Sequence, residues 1–314
     1  MRYSGVGGQA VIEGVMMRNK DQYAVAVRKP NQEIEIKVSE YKTPKLFKHL
    51  RKLPIFRGIF SFVDSLYLGM STLMFSASFF EEEEEKKDAK EQLSEEEEKK
   101  LAAKAKKKED AMMGGTVLLS IVMALLIFFA FPYGLSCFFQ RYIQSEVVIA
   151  LIEGAIRLFI FIGYVFAISF MPDIQRVFMY HGAEHKCINC IEHGLELNVE
   201  NVRKSSKQHK RCGTSFLLIV MLVSILCFMF IDVDSKILRL AIRFILIPFI
   251  AGVSFEFIRL AGKYDNWFVN MISKPGLWMQ RLTTKEPDDT MIEVGIASVE
   301  AVFDWKEYFK KEFQ

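Results

Sequence analysis

The sequence predicts an α-helical integral membrane protein with about four transmembrane helices, a small N-terminal cytoplasmic β unit and a cytoplasmic C-terminal helical tail. Three observations support this fold class: long apolar segments, a separate charged block, and alternating residues near the N-terminus. Of the 314 residues, 51% are hydrophobic and 25% are charged, but the two classes are concentrated in different parts of the chain. The formal net charge of +3 is too small to indicate a nucleic-acid partner, and we expect none.

Residues 1–50 are expected to form the small β unit. The segments 23–28 and 34–38 alternate between apolar and polar residues, which is typical of half-buried strands. Pro30-Asn31 between them is a turn signal. Several glycines between Gly5 and Gly14 indicate close backbone approach in the preceding stretch. The first residues have no apolar core, so we expect no secretory signal peptide.

Residues 51–80 have a partly helical apolar stripe, which Arg57 and Asp64 interrupt. We interpret this segment as an amphipathic helix packed on the membrane domain. The alternative is a fifth transmembrane span, which would make the number of spans odd.

Residues 81–110 form a charged block that contains thirteen acids and nine lysines. Such blocks are typical of solvated helices or disordered linkers, so we assign no chemistry to it. Its lysines lie nearest the next apolar segment, which is consistent with anionic lipid at the cytoplasmic surface.

The membrane domain is expected at 114–258, where four apolar segments meet or approach the length of about 20 residues that a bilayer requires. These segments are Gly114–Phe139, Val147–Phe170, Thr214–Ile231 and Ile237–Ile258. Lysine and arginine are concentrated before the first, between the second and third, and after the fourth. The positive-inside rule then places both termini and the segment 172–213 in the cytoplasm, with membrane lipids as partners.

The tail at 259–314 is expected to carry an amphipathic helix. Thr290 and Glu293 form a capping-box pattern that predicts the start of this helix. The Trp267, Pro275-Gly276 and Trp278 positions are consistent with an interfacial turn before it.

The segment 172–213 contains the strongest chemical signal, the H-x-x-E-H pattern of His181, Glu184 and His185. Two histidines four residues apart lie on one face of a helix, where their imidazoles can bind one metal ion. His209 and Glu192 are the best candidates for a third ligand, with Cys212 also possible. Glu184 would take a proton from a water molecule that the metal polarises.

A second metal site competes with the first. Cys187 and Cys190 form one C-x-x-C half of a closed zinc site, and His209 and Cys212 form an H-x-x-C half. The third interpretation is a polar packing cluster without metal. The five cysteines are odd in number, which argues against a disulfide framework and indicates a reducing compartment.

Five ordered motifs resemble those of the YqhQ-like family of bacterial membrane proteins, a domain of unknown function that is labelled a predicted metal-dependent enzyme. They are the sequences at 7–18, 54–58, 180–186, 209–215 and 275–287. The resemblance implies a metal site at His181, Glu184, His185, His209 and Cys212. Cys187 and Cys190 are not part of the family motif, which weakens the hypothesis of a closed zinc site.

The leading hypothesis is therefore a metal-dependent hydrolase at the cytoplasmic membrane face, with zinc as the most favoured divalent transition metal. Its substrate could be a lipid head group, a peptide or a small molecule. A non-catalytic, metal-stabilised scaffold or assembly factor is the alternative. A transporter is a third possibility, because Arg157, Arg243 and Glu256 lie within the apolar segments and charges there are often functional.

Overall fold

The structure, a computed structural model, describes residues 2–41, 49–85, 114–231, 233, 235–264 and 266–313, the side chains of 81–85 and 236 excepted. The chain divides into one compact unit that contains Met1–Glu81 and Tyr164–Gln314, and a second that contains Glu82–Gly163. The predicted charged linker at 81–110 lies outside the described residues, except for its first five residues, which end a helix.

The N-terminal β unit is a four-stranded antiparallel sheet with the order β1-β2-β3-β4. Its strands are β1 (Val6–Val11), β2 (Gly14–Asn19), β3 (Gln22–Arg28) and β4 (Ile34–Glu40). The two predicted strands correspond to β3 and β4. The glycine-containing stretch before them was not predicted as strands, yet it forms the hairpin of β1 and β2.

Helices cover both faces of the sheet at β2 and β3, whereas β4 is mostly exposed. Val15 and Met17 of β2 face one apolar core, and Met16 between them faces the other. The first core is shared with helices α4 (Pro172–Glu192) and α9 (Asp289–Glu300). The second is shared with helix α1 (Phe56–Glu85), whose Leu68 is 1% exposed. The sheet is thus the middle layer between two helical layers.

The segment predicted as an amphipathic helix at 51–80 contains helix α1, which begins at Phe56 after a 3₁₀ turn at Leu50–Lys52. Two hydrogen bonds tie it to β1 and the turn after it. Gln9 Nε2 donates to the Ser65 carbonyl over 3.1 Å, and the Ile12 amide donates to Ser76 Oγ over 3.2 Å. Helix α1 therefore lies against the sheet over several of its turns.

Four helices in the described part of the chain are long and apolar enough to cross a membrane. They are α1, α2 (Gly114–Phe139), α3 (Glu146–Ile168) and α7 (Lys236–Lys263). This set differs from the predicted one. It includes α1 and leaves out the predicted span Thr214–Ile231, because the corresponding helix α6 (Gly213–Phe228) has only 16 residues.

The predicted metal-site loop at 172–213 is largely helical, which corrects its description as a loop. Pro172 stands in the first turn of α4, where a missing amide costs nothing, and the Asn198 side chain caps the short helix α5 (Val199–Lys204).

The C-terminal tail also differs from the prediction. The predicted interfacial turn lies within helix α8 (Trp267–Thr283), which continues through Pro275-Gly276. The cap of α9 is Asp288 and not Thr290, since the Asp288 side chain accepts from the Met291 amide at 2.9 Å. A second helix, α10 (Trp305–Glu312), follows because Asp304 caps a new start.

Candidate metal centre

Three potential metal ligands meet between α4 and the N-terminus of α6. His181 and His185 project from one face of α4, and their ring centroids are 4.4 Å apart. Cys212 is the N-cap residue of α6, and its Sγ atom lies 3.2 Å from His181 Nε2. One ligand atom from each of the three residues lies within 4.8 Å of the others. Of the predicted third ligands, Cys212 is therefore the one that the fold brings to the histidine pair.

Backbone carbonyls fix the orientation of both imidazoles. His181 Nδ1 lies 2.9 Å from the Thr283 carbonyl oxygen, and His185 Nδ1 lies 2.7 Å from that of Lys207. A carbonyl only accepts, so each Nδ1 carries a proton, and in the neutral form of each imidazole Nε2 then presents a lone pair. His185 Nε2 is buried and has no hydrogen-bond partner among the described residues. This arrangement is typical of metal-binding histidines.

The electrostatics of the cluster favour a thiolate. Burial disfavours the charged form of Cys212, but the imidazoles of His181 and His185 outweigh it and hold the pKa of the thiol well below its usual value. The Thr214 amide also donates to Sγ over 3.3 Å at the start of α6. Two imidazoles and a thiolate are a donor set that zinc accepts.

Glu184 lies beside this cluster and is not among its ligand atoms. The backbone N–H of Gly8 in β1 donates to its carboxylate, and a Cβ atom on Gly8 would lie 2.9 Å from Glu184 Cγ. A glycine at position 8 therefore makes room for the glutamate. Burial raises the pKa of Glu184, and the two imidazoles oppose this shift. A buried carboxyl with a raised pKa is suited to proton transfer.

His209 and Glu192, which we predicted as ligands, form a separate pair. Their Nε2 and Oε2 atoms are 3.5 Å apart, and both side chains are buried. Glu192 Oε1 accepts from Ser4 and from Arg211, the latter over 2.6 Å. Burial disfavours the charged form of Glu192, but His209 and Arg211 together lower its pKa to about 2. The carboxylate is thus ionised and holds the N-terminal segment.

Sequence reasoning missed Gln280 of α8, which is fully buried. Its Oε1 accepts from the His209 amide over 2.9 Å, and its Nε2 donates to the His209 carbonyl over 2.7 Å. Nε2 also lies 2.8 Å from Ser215 Oγ in the first turn of α6. Gln280 thereby fixes the backbone on both sides of Cys212. It lies in one of the motifs that resemble the family, but nothing local to it indicated this role.

Two further residues of α4 hold the segment that approaches the cluster. Lys186 Nζ donates to the carbonyls of Arg203 and Ser205 over 2.8 and 2.9 Å. Asn189 Nδ2 donates to the carbonyls of Ser206 and Gln208 over 2.6 and 2.9 Å. Together with His185, these two side chains contact five backbone carbonyls between Arg203 and Gln208. These contacts fix the backbone between α5 and Cys212.

Cys187 and Cys190 do not join the cluster. They lie on the opposite side of α4 and are buried in the core that α4 shares with the sheet and α9. Burial raises the pKa of both thiols, that of Cys190 to about 11. Nothing in this geometry favours the closed zinc site formed by two cysteines with His209 and Cys212.

The charged residues that suggested a transporter have partners. Arg157 donates to Glu153 over 2.7 Å and to the Phe128 carbonyl over 2.9 Å. Glu256 of α7 forms a two-pronged ion pair with Arg57 of α1. These contacts compensate the charges of Arg157 and Glu256 within the protein.

The fold and the cluster together describe a helical protein with span-length apolar helices and a sheet-supported His-His-Cys centre. The chain belongs to the family described as "Protein of unknown function (DUF1385)", whose profile matches residues 53–305. It is similar to the uncharacterized protein YqhQ of Bacillus subtilis (strain 168), with 36% identity over 294 residues. The match covers 93% of this chain and 90% of that relative, and it confirms the resemblance to the YqhQ-like family. No solved structure is significantly similar to the chain.

Proposed function

We propose that the chain is a metal-dependent hydrolase that works at a membrane surface, with His181, His185 and Cys212 as ligands of a zinc ion. The observation that supports this most directly is His185 Nε2. It is a buried acceptor without a hydrogen-bond partner among the described residues, it belongs to the cluster, and Lys207 fixes its tautomer. A buried, unsatisfied acceptor costs about 1–3 kcal/mol, and a bound cation would remove this cost.

The arrangement supports hydrolysis because the protein supplies three ligands and a separate carboxyl group. A zinc ion with three protein ligands keeps a position for water or substrate, and it can lower the pKa of water to about 7. Glu184 lies beside the ligands and accepts the proton of the attacking water. It then returns that proton to the leaving group. The candidate substrates are a lipid head group, a peptide and a small molecule.

Packing supports placing the sheet and the candidate site on one side of the membrane. The sheet, α4 and α9 share a single apolar core, so an even number of spans must separate each from the next along the chain. Crossing by α2 and α3 satisfies this condition between the sheet and α4. Crossing by α6 and α7 satisfies it between α4 and α9. In this topology α6 crosses despite its 16 helical residues.

Helix α1 is then not a span, although its length and composition would permit one. Its Leu68, Phe75 and Phe79 pack on the sheet, which cannot enter the hydrocarbon region with unpaired edges. The positive-inside rule gives the common side as the cytoplasm. We therefore place the protein in the bacterial inner membrane with both termini cytoplasmic and membrane lipids as partners.

A second candidate function is catalysis by Cys212 as a nucleophile without metal. The observation that favours it is the contact of 3.2 Å between Cys212 Sγ and His181 Nε2, with the Thr283 carbonyl orienting the imidazole. A thiolate at a helix N-terminus beside a histidine is an activated nucleophile. Catalysis by Cys212 without metal does not explain why His185 Nε2 is buried without a hydrogen-bond partner among the described residues. We therefore rank this function second.

Metal analysis of the purified full-length protein tests the proposal. We expect about one equivalent of zinc in the wild-type protein, and loss of metal in His181→Ala, His185→Ala and Cys212→Ala, because each removes one ligand. The matched control is the double variant Cys187→Ser/Cys190→Ser, which should keep its metal if it folds. Full metal in His185→Ala would reject the site. A metal-free wild-type protein whose Cys212 is rapidly alkylated by iodoacetamide would favour the nucleophile.

A further inference from the structure

Helix α8 has two faces of opposite character, and the buried one is the more polar. Its buried residues are Met279 and four small or polar residues, Ser273, Gly276, Gln280 and Thr283. Gln280 fixes the His209 backbone. A Cβ atom on Gly276 would lie 2.6 Å from Ser215 Oγ, so α8 packs closely against α6 at this point. The interior face of α8 therefore packs against the segments that carry the candidate metal centre.

The exposed face of α8 is apolar. Trp267, Met271 and Trp278 are 76%, 44% and 52% exposed. At about 100° per residue, these three side chains fall within about 40° of one another around the helix axis. Phe268, which is also exposed, borders this strip. We call Trp267, Phe268, Met271 and Trp278 the outer strip of α8. Large aromatic side chains in such a strip are not explained by the packing of the protein.

Cations flank the outer strip on one side. Lys274 and Arg281 are exposed, and they lie about 20–40° from Trp267 around the axis. The sequence from Trp267 to Thr283 contains no aspartate or glutamate. Apolar aromatic residues bordered by lysine and arginine match the chemistry of an anionic lipid surface, in which rings enter the head-group region and cations meet phosphates.

We propose that the outer strip of α8 lies in the interface of a bilayer that contains anionic phospholipid. The position along the chain supports this occupant over a soluble partner. Helix α7, a span-length helix, ends at Lys263, and α8 begins at Trp267. A helix that begins four residues after a span ends starts at the membrane surface. The candidate metal centre then lies directly behind a membrane-bound helix. The assignment of the strip itself does not depend on the metal.

Depth-dependent fluorescence quenching tests this inference in the full-length protein, reconstituted in vesicles of phosphatidylcholine and phosphatidylglycerol. The variant Trp267→Phe/Trp305→Phe keeps Trp278 as the single tryptophan, since the chain has three. We expect lipids brominated near the carbonyl end of the acyl chain to quench Trp278 more than lipids brominated near the terminal methyl group. Replacing phosphatidylglycerol by phosphatidylcholine should weaken the quenching, and so should Lys274→Gln/Arg281→Gln.

The control variant Trp267→Phe/Trp278→Phe keeps Trp305, which packs against the sheet core and should not respond to brominated lipid. Quenching of Trp278 by aqueous acrylamide and not by brominated lipid would overturn the inference, because the strip would then face water. Protection of Trp278 from both quenchers would overturn it as well, since a second copy or another protein would then cover the strip. Metal content does not enter any of these outcomes.

Discussion

Gly182 of α4 lies directly against the carbonyl oxygen of Lys285, with no space for a side chain between them. The Lys285 amide donates to the Phe178 carbonyl over 2.9 Å, and Thr283, the last residue of α8 just before the extended stretch that contains Lys285, offers its carbonyl to His181. The missing Cβ atom at position 182 therefore sets how closely this stretch approaches α4. It also sets the position of the acceptor that orients one candidate ligand.

We expect Gly182→Ala to destabilise the protein by about 1–3 kcal/mol, because the added methyl group meets backbone that is fixed on both sides. Displacement of the Thr283 carbonyl should also lower zinc content. Thermal unfolding in detergent and elemental analysis measure the two effects. Gly163→Ala is the control, since a Cβ atom there meets open space and should leave both values unchanged or slightly improved. Equal stability of the two variants would contradict the close approach.

Lys186→Met should loosen the segment between α5 and Cys212. Methionine keeps an unbranched apolar side chain but removes the donors to the Arg203 and Ser205 carbonyls. Loss of hydrogen bonds to these partly buried carbonyls costs about 1–3 kcal/mol, which corresponds to about tenfold to hundredfold faster amide exchange in residues 203–208. Hydrogen–deuterium exchange by mass spectrometry measures this change. Lys204→Met is the control, because Lys204 is exposed and pairs only locally with Glu200. Unchanged exchange in Lys186→Met would mean that the lysine does not hold the segment.

The histidine pair could be predicted from the sequence because its geometry is local. Residues four apart share a face in any α-helix, whatever that helix packs against. The third residue of the cluster was one of several candidates, and spacing could not select it. The choice among Cys212, His209 and Glu192 depends on how the chain returns to α4, and Gln280 fixes that return from a helix some seventy residues further along. Spacing alone carries no information about such a contact.

Strands β1 and β2 were not predicted because their pattern also depends on tertiary packing. A strand that is buried on one face alternates between apolar and polar residues. In β2, Val15-Met16-Met17 is apolar throughout because α1 covers one face and α4 with α9 cover the other. The start of α9 could not be predicted either, because two residues near it can both cap a helix. Asp288 and Thr290 are both good caps, and only the structure shows that Asp288 accepts from the Met291 amide.

Reporter fusions test the topology that we propose. Fusions at Gln144 and Ser235 should report an external location, and a fusion at Lys204 should report the cytoplasm. A fusion at Lys99, between α1 and α2, decides the role of α1. It should report the cytoplasm, because α1 is held on the sheet and does not cross. When the N-terminus reports the cytoplasm, an external location for Lys99 would show that α1 crosses, and an external location for Lys204 would contradict the shared side of the sheet and the site.

Glu184→Gln separates the hydrolase from the scaffold. Glutamine keeps the shape of the side chain and can still accept from the Gly8 amide, but it cannot take up a proton. In the hydrolase, the variant should fold, keep its zinc and fail to restore the phenotype of a deletion strain, since loss of a general acid–base group slows a reaction by about 10²–10⁴-fold. Elemental analysis, thermal unfolding and complementation provide the three measurements.

The matched control is Glu196→Gln, an exposed carboxylate four residues after the end of the same helix, which should restore the phenotype fully. A Glu184→Gln protein that holds zinc and complements as well as this control would reject proton transfer by Glu184 and favour the scaffold. Loss of zinc in Glu184→Gln would instead assign Glu184 to the ligands. In that case Cys212 must be examined again, because four protein ligands would close the position that a water or substrate needs.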